Sequence, residues 1–365
     1  MSALPVSSRL PDFPWDLLVA HADRARLHPG GAVDLSVGTP IDPTPRVIQD
    51  ALNAAADSPG YPTTAGRAAT RQACVDWLAR RFGVTGLHPE AVLPVIGSKE
   101  LIASLPSHLG LGPDDLVVYP ELAYPTYEVG AKLAGARTRA TDSLTSLGPE
   151  RVALVWVNSP SNPTGAVMPA SSLCAMIDWA RSSGAVIASD ECYLPLPWES
   201  TPVSVLSLCG SSFDSVLAVH SLSKRSNLAG YRAGFVAGDP ALVASLLETR
   251  KHAGMIVPAP VQAAMVAALD DESHVIEQRA VYGRRRAVLL TALTSAGFEI
   301  SHSSAGLYLW ATRGELCWST VDWLAARGIL VAPGSFYGPA GDSHVRVALT
   351  ATDERVDAAA ARLNV

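Results

Sequence analysis

The sequence predicts an α/β protein, in which a mostly parallel central sheet covered by helices on both faces forms a large domain and a smaller α+β domain follows. Three observations carry this. Apolar runs of strand length, such as Val152-Ala153-Leu154-Val155-Trp156-Val157, are nearly continuous, as in strands buried on both faces. Helical stretches separate these runs, which is how parallel strands are connected. After about residue 255 the alternation gives way to short strands with flanking helices. At 365 residues and 48% hydrophobic content, the chain can bury cores for two domains. We place them at 40–255, and at 1–39 together with 256–365.

In chain order, the N-terminal segment Leu10-Pro11-Asp12-Phe13-Pro14-Trp15 should pack onto the smaller domain, since Phe13 and Trp15 are costly to leave in water. Strands are expected over 91–96, 116–119, 152–157, 185–189, 216–219 and 233–237. Helices are expected over 99–109, 124–134, 169–183 and 240–252. An arginine-rich helix over 273–296 leads into strands at 306–310, 328–331 and 344–349. Ligands of such sheets bind at the carboxyl ends of the strands. The loops to search are therefore Gly97-Ser98-Lys99-Glu100, 158–165, 190–193 and 221–224.

Composition narrows the function. A net charge of −6 with dispersed basic residues gives no footprint for nucleic acid. Nine histidines show no His-Glu-x-x-His or other ligand spacing, so no metal is expected. Five cysteines without Cys-x-x-Cys fit buried thiols in a reducing compartment. No apolar run approaches the roughly 18 residues of a membrane span. Met1-Ser2-Ala3-Leu4-Pro5-Val6 lacks a basic stretch followed by an apolar block, so a cytoplasmic location is expected.

Only four of the 28 basic residues are lysines: Lys99, Lys132, Lys224 and Lys251. A desolvated amine can lose its proton, whereas a guanidinium cannot. Lys132 and Lys251 lie in helical stretches, on solvated faces. Lys224 follows a buried strand in Ser221-Leu222-Ser223-Lys224, with Arg232 eight positions on. Hydroxyls and a guanidinium around a nucleophilic amine suit a phosphorylated aldehyde, pyridoxal 5'-phosphate held as a Schiff base. Ser-x-x-Lys also marks penicillin-binding serine nucleophiles, but the Ser-Asp-Asn and Lys-Thr-Gly partners of that motif are absent.

The other loops add parts of a site. Ser98 and Lys99 open a helix whose backbone N–H groups can face an anion. Asp190, at a strand end, can pair with a protonated ring nitrogen, or it can simply cap a turn. Asn162 and Tyr193 can donate to a phenolate oxygen. Tyr124 offers a ring for stacking, although aromatic residues more often serve only the core.

Asn162-Pro163-Thr164-Gly165, Ser189-Asp190-Glu191-Cys192-Tyr193, Ser221-Leu222-Ser223-Lys224 and Arg232 together resemble the ordered signature of class I/II aminotransferases of pyridoxal phosphate fold type I. The resemblance implies that Lys224 bonds the cofactor aldehyde and Asp190 pairs with its ring nitrogen. Asn162 and Tyr193 would contact the phenolate oxygen, while Ser98, Lys99, Ser221 and Arg232 would hold the phosphate and Tyr124 would stack. Tyr61, in Gly60-Tyr61-Pro62-Thr63-Thr64-Ala65-Gly66, resembles a tyrosine that reaches the partner subunit's phosphate, implying a homodimer. Arg346 resembles the arginine that grips the substrate α-carboxylate, with Gly38 and Asn162 as further substrate contacts.

Leu10 to Asp16, Asp34 to Pro40, Gly60 to Gly66, Val95 to Ile102 and Pro120 to Gly130 are similar to bacterial N-succinyldiaminopimelate aminotransferases of lysine biosynthesis. That similarity implies exchange of an amino group between glutamate and N-succinyl-2-amino-6-oxopimelate. No motif designates a group for the distal carboxylate; Arg24, Arg26 and Arg67 are open choices. Two rivals share some of these features: a carbon–sulfur lyase with the same cofactor residues, and a cofactor-sensing regulator, which would need a DNA-binding module that the N-terminal 40 residues do not provide.

Overall fold

The computed structural model describes residues 5–148 and 150–363. Residues 1–4, part of the stretch read for a secretion signal, lie outside the described residues.

A seven-stranded sheet runs in the spatial order Val92–Val95, Gly234–Gly238, Val216–Ser221, Val186–Asp190, Val152–Asn158, Leu116–Tyr119, Arg137–Ala140. Every neighbouring pair is parallel except the two made by Gly234–Gly238. Because that strand runs the other way, its amino end meets the carboxyl ends of its neighbours. This topology brings Arg232 to the same edge as Asp190 and Lys224.

Adjacent residues of one strand feed opposite layers, as the two-residue period requires. Leu154 and Trp156 pack with Tyr127, Ile102 and Val236 on one face, while Val155 and Val157 pack with Trp77, Ile177 and Phe235 on the other. The edge strand Arg137–Ala140 was not expected from the sequence. Its charged, half-exposed residues lack an apolar run, as edge strands often do. The amphipathic helices Arg46–Ala54 and Ala68–Phe82 were also passed over; each buries only a narrow stripe, Ile48 alone in the first.

A four-stranded antiparallel sheet, in the order Ala332–Pro333, Val345–Ala348, Tyr308–Thr312, Glu299–His302, lies in the C-terminal part. Two strand readings shift here. The run at 306–310 begins as a strand only at Tyr308, because Gly306 (φ 83°) turns to donate to Leu196 O and Ala305 donates to Gly165 O. The run at 328–331 is divided between two sheets: Ile329–Leu330 pairs in parallel with Val33–Asp34, and Ala332–Pro333 joins the four-stranded sheet. Trp15 meets Phe336 of the C-terminal part at 5.5 Å between ring centroids, whereas Phe13, expected to pack there too, stays 54% exposed. No helix among the described residues is long and apolar enough to cross a membrane.

Candidate active site

Asn158 and Asp190 are the last residues of neighbouring strands and face each other in register. The Asn158 amide donates from Nδ2 to Asp190 O at 2.9 Å, and its Oδ1 accepts from the Asn162 backbone N–H at 2.7 Å. One asparagine thus fixes both the acid and the loop carrying Asn162. The Asp190 carboxylate accepts from Tyr127 Oη at 2.9 Å and from the Cys192 backbone N–H at 3.2 Å. Burial raises its pKa, and it has no cationic partner among the described residues. A buried carboxylate in that condition fits a protonated ring nitrogen brought by a ligand.

Ser221 ends the neighbouring strand and caps the short helix Leu222–Arg225, its Oγ accepting from Ser223 N–H at 3.1 Å. This turn delivers Lys224, whose Nζ donates to the carbonyl of Gly38. Burial holds the Lys224 pKa below the usual lysine range, which favours the free amine needed to attack an aldehyde.

Gly97 precedes helix Ser98–His108 at φ 91°, and a Cβ there would lie 2.2 Å from a terminal nitrogen of Arg232. Only glycine lets the exposed guanidinium sit against the helix start, where free N–H groups already favour an anion. The cradle suits a phosphate. The Lys99 ammonium is 5.7 Å from the Phe13 ring centroid, so Lys99 offers the cradle its backbone N–H while its side chain reaches the N-terminal segment.

The opposite wall is built around Arg346, which is 3% exposed. Its terminal nitrogens donate to Asn162 Oδ1 at 2.8 Å and Ser36 O at 2.6 Å, and its carbon lies 4.0 Å from the Tyr308 ring centroid and 4.9 Å from that of Tyr337. Burial works against its charge, but the surrounding tyrosines, Tyr308 foremost, keep its pKa above the usual range. Its Nε has no partner, and no carboxylate pairs with it among the described residues. Tyr193 Oη lies 3.1 Å from Tyr308 Oη, and burial holds the Tyr193 pKa well above its usual value. Gly38 is needed there too, since a Cβ would fall 2.2 Å from Tyr308 Oη.

Tyr124 is half-buried, stands edge-on to Tyr127 at 5.9 Å, and has its hydroxyl pushed up to about 12 by burial. Tyr61 is not gathered with the others: it is 98% exposed and borders an open cavity with Thr63, Arg67 and Ala259. Of the open choices for a distal carboxylate, Arg24 and Arg26 pair with Asp322 and Asp23, while Arg67 lies with Tyr61. Sequence reasoning missed Asn158, Tyr127, Ser36, Tyr308 and Tyr337. The Asn158 signal was available, as the strand's final residue before Asn162; the others come from distant segments.

At the main sheet's carboxyl edge, a half-buried amine, a buried carboxylate without a cation and an anion cradle face a buried guanidinium from the C-terminal sheet, an arrangement that fits a pyridoxal-phosphate-dependent transferase. The chain belongs to the aminotransferases of class I and II, a family that matches residues 31–363, and it is a transaminase dependent on that cofactor. It is 63% identical to a probable aminotransferase of Mycobacterium tuberculosis over 98% of this chain and 86% of the relative. It is 60% identical to the 4-dedimethylamino-4-oxo-anhydrotetracycline transaminase OxyQ of Streptomyces rimosus, covering 97% of this chain and 99% of the relative. A probable N-succinyldiaminopimelate aminotransferase from Thermus thermophilus superposes with TM-score 0.86 at 30% identity, covering 96% of this chain and 99% of that one.

Proposed function

We propose that this transaminase moves an amino group between glutamate and N-succinyl-2-amino-6-oxopimelate. Arg346 carries the amino-acid part of the reading: a buried guanidinium with no carboxylate partner among the described residues, held by Asn162 and Ser36, suits an α-carboxylate. When bound, pyridoxal 5'-phosphate supplies the electron sink for the carbon that bears the amino group. Lys224 would hold its aldehyde, and its amine is the base that would take the proton from the substrate α-carbon. Asp190 would keep the ring nitrogen protonated. Asn162 and Tyr193 would donate to the phenolate oxygen, with Asn162 Oδ1 on Arg346 and Gly38 beside the substrate. Ser98, Lys99, Ser221 and Arg232 would hold the phosphate, and Tyr124 would pack on the ring. The likeness to the Thermus protein supports the diaminopimelate substrate.

The 60% identity with OxyQ supports a second reading, an oxo group on a polycyclic ring. Such a ketone has no α-carboxylate, so Arg346 would serve only the amino donor. The deciding experiment measures kcat/KM with glutamate against N-succinyl-2-amino-6-oxopimelate, simple 2-oxo acids and a 4-oxo-anhydrotetracycline. Preference for the first by about a hundredfold or more supports the proposal; preference for the ring ketone replaces it. Borohydride reduction followed by peptide mass spectrometry should place the pyridoxyl group on Lys224, and finding it on Lys99, Lys132 or Lys251 would refute the assignment.

Almost complete exposure of a tyrosine beside an open cavity supports a homodimer in which Tyr61 completes the partner's phosphate site. Hybrids formed from Lys224→Ala and Tyr61→Ala subunits should regain activity that neither parent has, because one site per hybrid is intact. No regain would remove Tyr61 from the site.

A further inference from the structure

Three residues beyond Lys224, Asn227 is buried and held in the left-handed region at φ 53°. Its side-chain amide donates to Gln278 Oε1 at 2.9 Å and to Pro43 O at 3.2 Å. Gln278 Nε2 donates in turn to Asp42 Oδ2 at 2.9 Å. Asp42 accepts both terminal nitrogens of Arg285, at 2.7 and 2.8 Å, and Arg285 Nε ends the chain on Asp353 at 2.6 Å. Thr44 Oγ1 adds a bond to Asn227 O at 3.3 Å. Gln278, Tyr282 and Arg285 occupy one stripe of helix Ser273–Ser295, and Tyr282 Oη closes on Asn227 Oδ1 at 3.4 Å.

Asp42, Pro43 and Thr44 end an irregular strap that begins near Leu35. At its other end, Leu35 O accepts from Ala348 N–H at 2.8 Å, Ser36 O from Arg346, and Val37 O from Thr350 Oγ1 at 3.0 Å. Between these anchorages sits Gly38, whose carbonyl accepts from Lys224 Nζ. Neither helix nor sheet pairing holds residues 37–44. The polar chain through Asn227 ties their far end to the lysine turn.

We propose that Asn227, Gln278 and Asp42 are positioning residues for Lys224, pinning the strap so that the Gly38 carbonyl orients the amine. The inference rests on Lys224 being the lysine that bonds the cofactor. Loosening the Asp42 end moves the carbonyl but leaves the Arg346 end anchored. Proton transfer by Lys224 then suffers while recognition of the α-carboxylate does not. Tyr308, Cys192, Arg346 and Arg232 are the titratable and charged groups that face the amine, and the test substitutions touch none of them.

Asn227→Gly is the informative variant, because glycine keeps the left-handed backbone and removes only the side-chain bonds. In the holoenzyme, kcat for the glutamate half-reaction should fall about tenfold with KM changed by less than about twofold, and the pH midpoint of the bound cofactor's absorbance should shift by about half a unit or more. Asp42→Ala cuts the same chain from within the strap and should give the same split. The double variant should be little worse than either single one, since both cut one chain. Normal kcat at full cofactor loading overturns the proposal. So does a lowered melting temperature with kcat and KM falling together at an unmoved midpoint, which would make the network a structural tie only. A pyridoxyl group found on another lysine would instead remove the reading beneath it.

Discussion

Two sets of buried ionisable groups lie on either side of the main sheet's functional edge, and the protein treats them differently. Toward the crevice, the half-buried Lys224 and the buried Asp190 and Arg346 have no charged partner among the described residues. Behind the sheet, Glu191 lies 3.3 Å from His220 and the buried Arg225 lies 3.5 Å from Glu272. Asp190 and Glu191 are neighbours in sequence, yet the strand's two-residue period sends them to opposite sides. A buried charge without a partner is costly, so a set of three sharing one crevice indicates a ligand that supplies the counter-charges. The rear groups ask for no ligand.

The largest effect should come from removing the crevice amine. Lys224→Ala leaves no base at the substrate α-carbon, and turnover should drop on the order of 10,000-fold while the protein still binds the cofactor. Single-turnover absorbance measurements check this; turnover within about tenfold of the parent would mean that another group carries the proton. Asp190→Ala comes next. It removes the buried carboxylate proposed to face the ring nitrogen and should cost roughly 100- to 1,000-fold in kcat, by the scale of lost preorganised electrostatic contacts. Near-normal turnover would leave Asp190 as a turn residue and break the comparison at its centre.

Arg346→Lys tests the opposite wall. Lysine keeps the charge but cannot hold Asn162 Oδ1 and Ser36 O while presenting a planar fork. KM should rise about tenfold to a hundredfold for every amino-acid substrate alike. A ring ketone without a carboxylate should be nearly indifferent to the change, so the same variant also separates the two substrate readings. An unaltered KM for glutamate would place the carboxylate elsewhere.

How far the sequence could be read follows the same division. The cofactor wall is contiguous: residues 97–100, 158–165, 190–193 and 221–224 each continue directly from a strand, so finding the apolar strands found the loops. Arg232 was legible as part of that signature, but its route to the edge depends on the antiparallel Gly234–Gly238 strand, which periodicity alone does not orient. The carboxylate wall joins Ser36, Asn162, Tyr308, Tyr337 and Arg346 from separate parts of the chain by packing alone. Arg346 was named through family resemblance, and its tyrosine neighbours had no local signal. The strap through Asp42 and Asn227 was invisible for the same reason, since its bonds to Asn227 and to helix Ser273–Ser295 each span about 180 residues or more.

The smallest effect belongs to the rear set and tests whether it is neutral. Burial pushes Glu191 up to about 7 and His220 down to about 3, with His220 stacked on Phe235 at 4.8 Å and edge-on to Trp77 at 5.3 Å. For Glu191, whose folded pKa is raised, the stability of the neutral form is complete below the usual carboxylate value and is lost as pH rises through about 7. For His220, whose folded pKa is depressed, stability is complete above the usual histidine value and is lost as pH falls toward about 3. Glu191 Oε1 accepts from Val205 N–H at 2.6 Å and Ser189 Oγ at 3.1 Å, and glutamine can keep both bonds while its amide donates to an unprotonated His220 Nε2. Glu191→Gln should therefore match the parent's melting temperature near pH 5 and exceed it by a few degrees near pH 8, where the parent carries a buried charge opposite a neutral imidazole. Calorimetry at both pH values decides it. A variant that loses stability specifically at pH 8 would show a working Glu191–His220 ion pair, and the contrast between crevice and rear would then rest on partners rather than on charge.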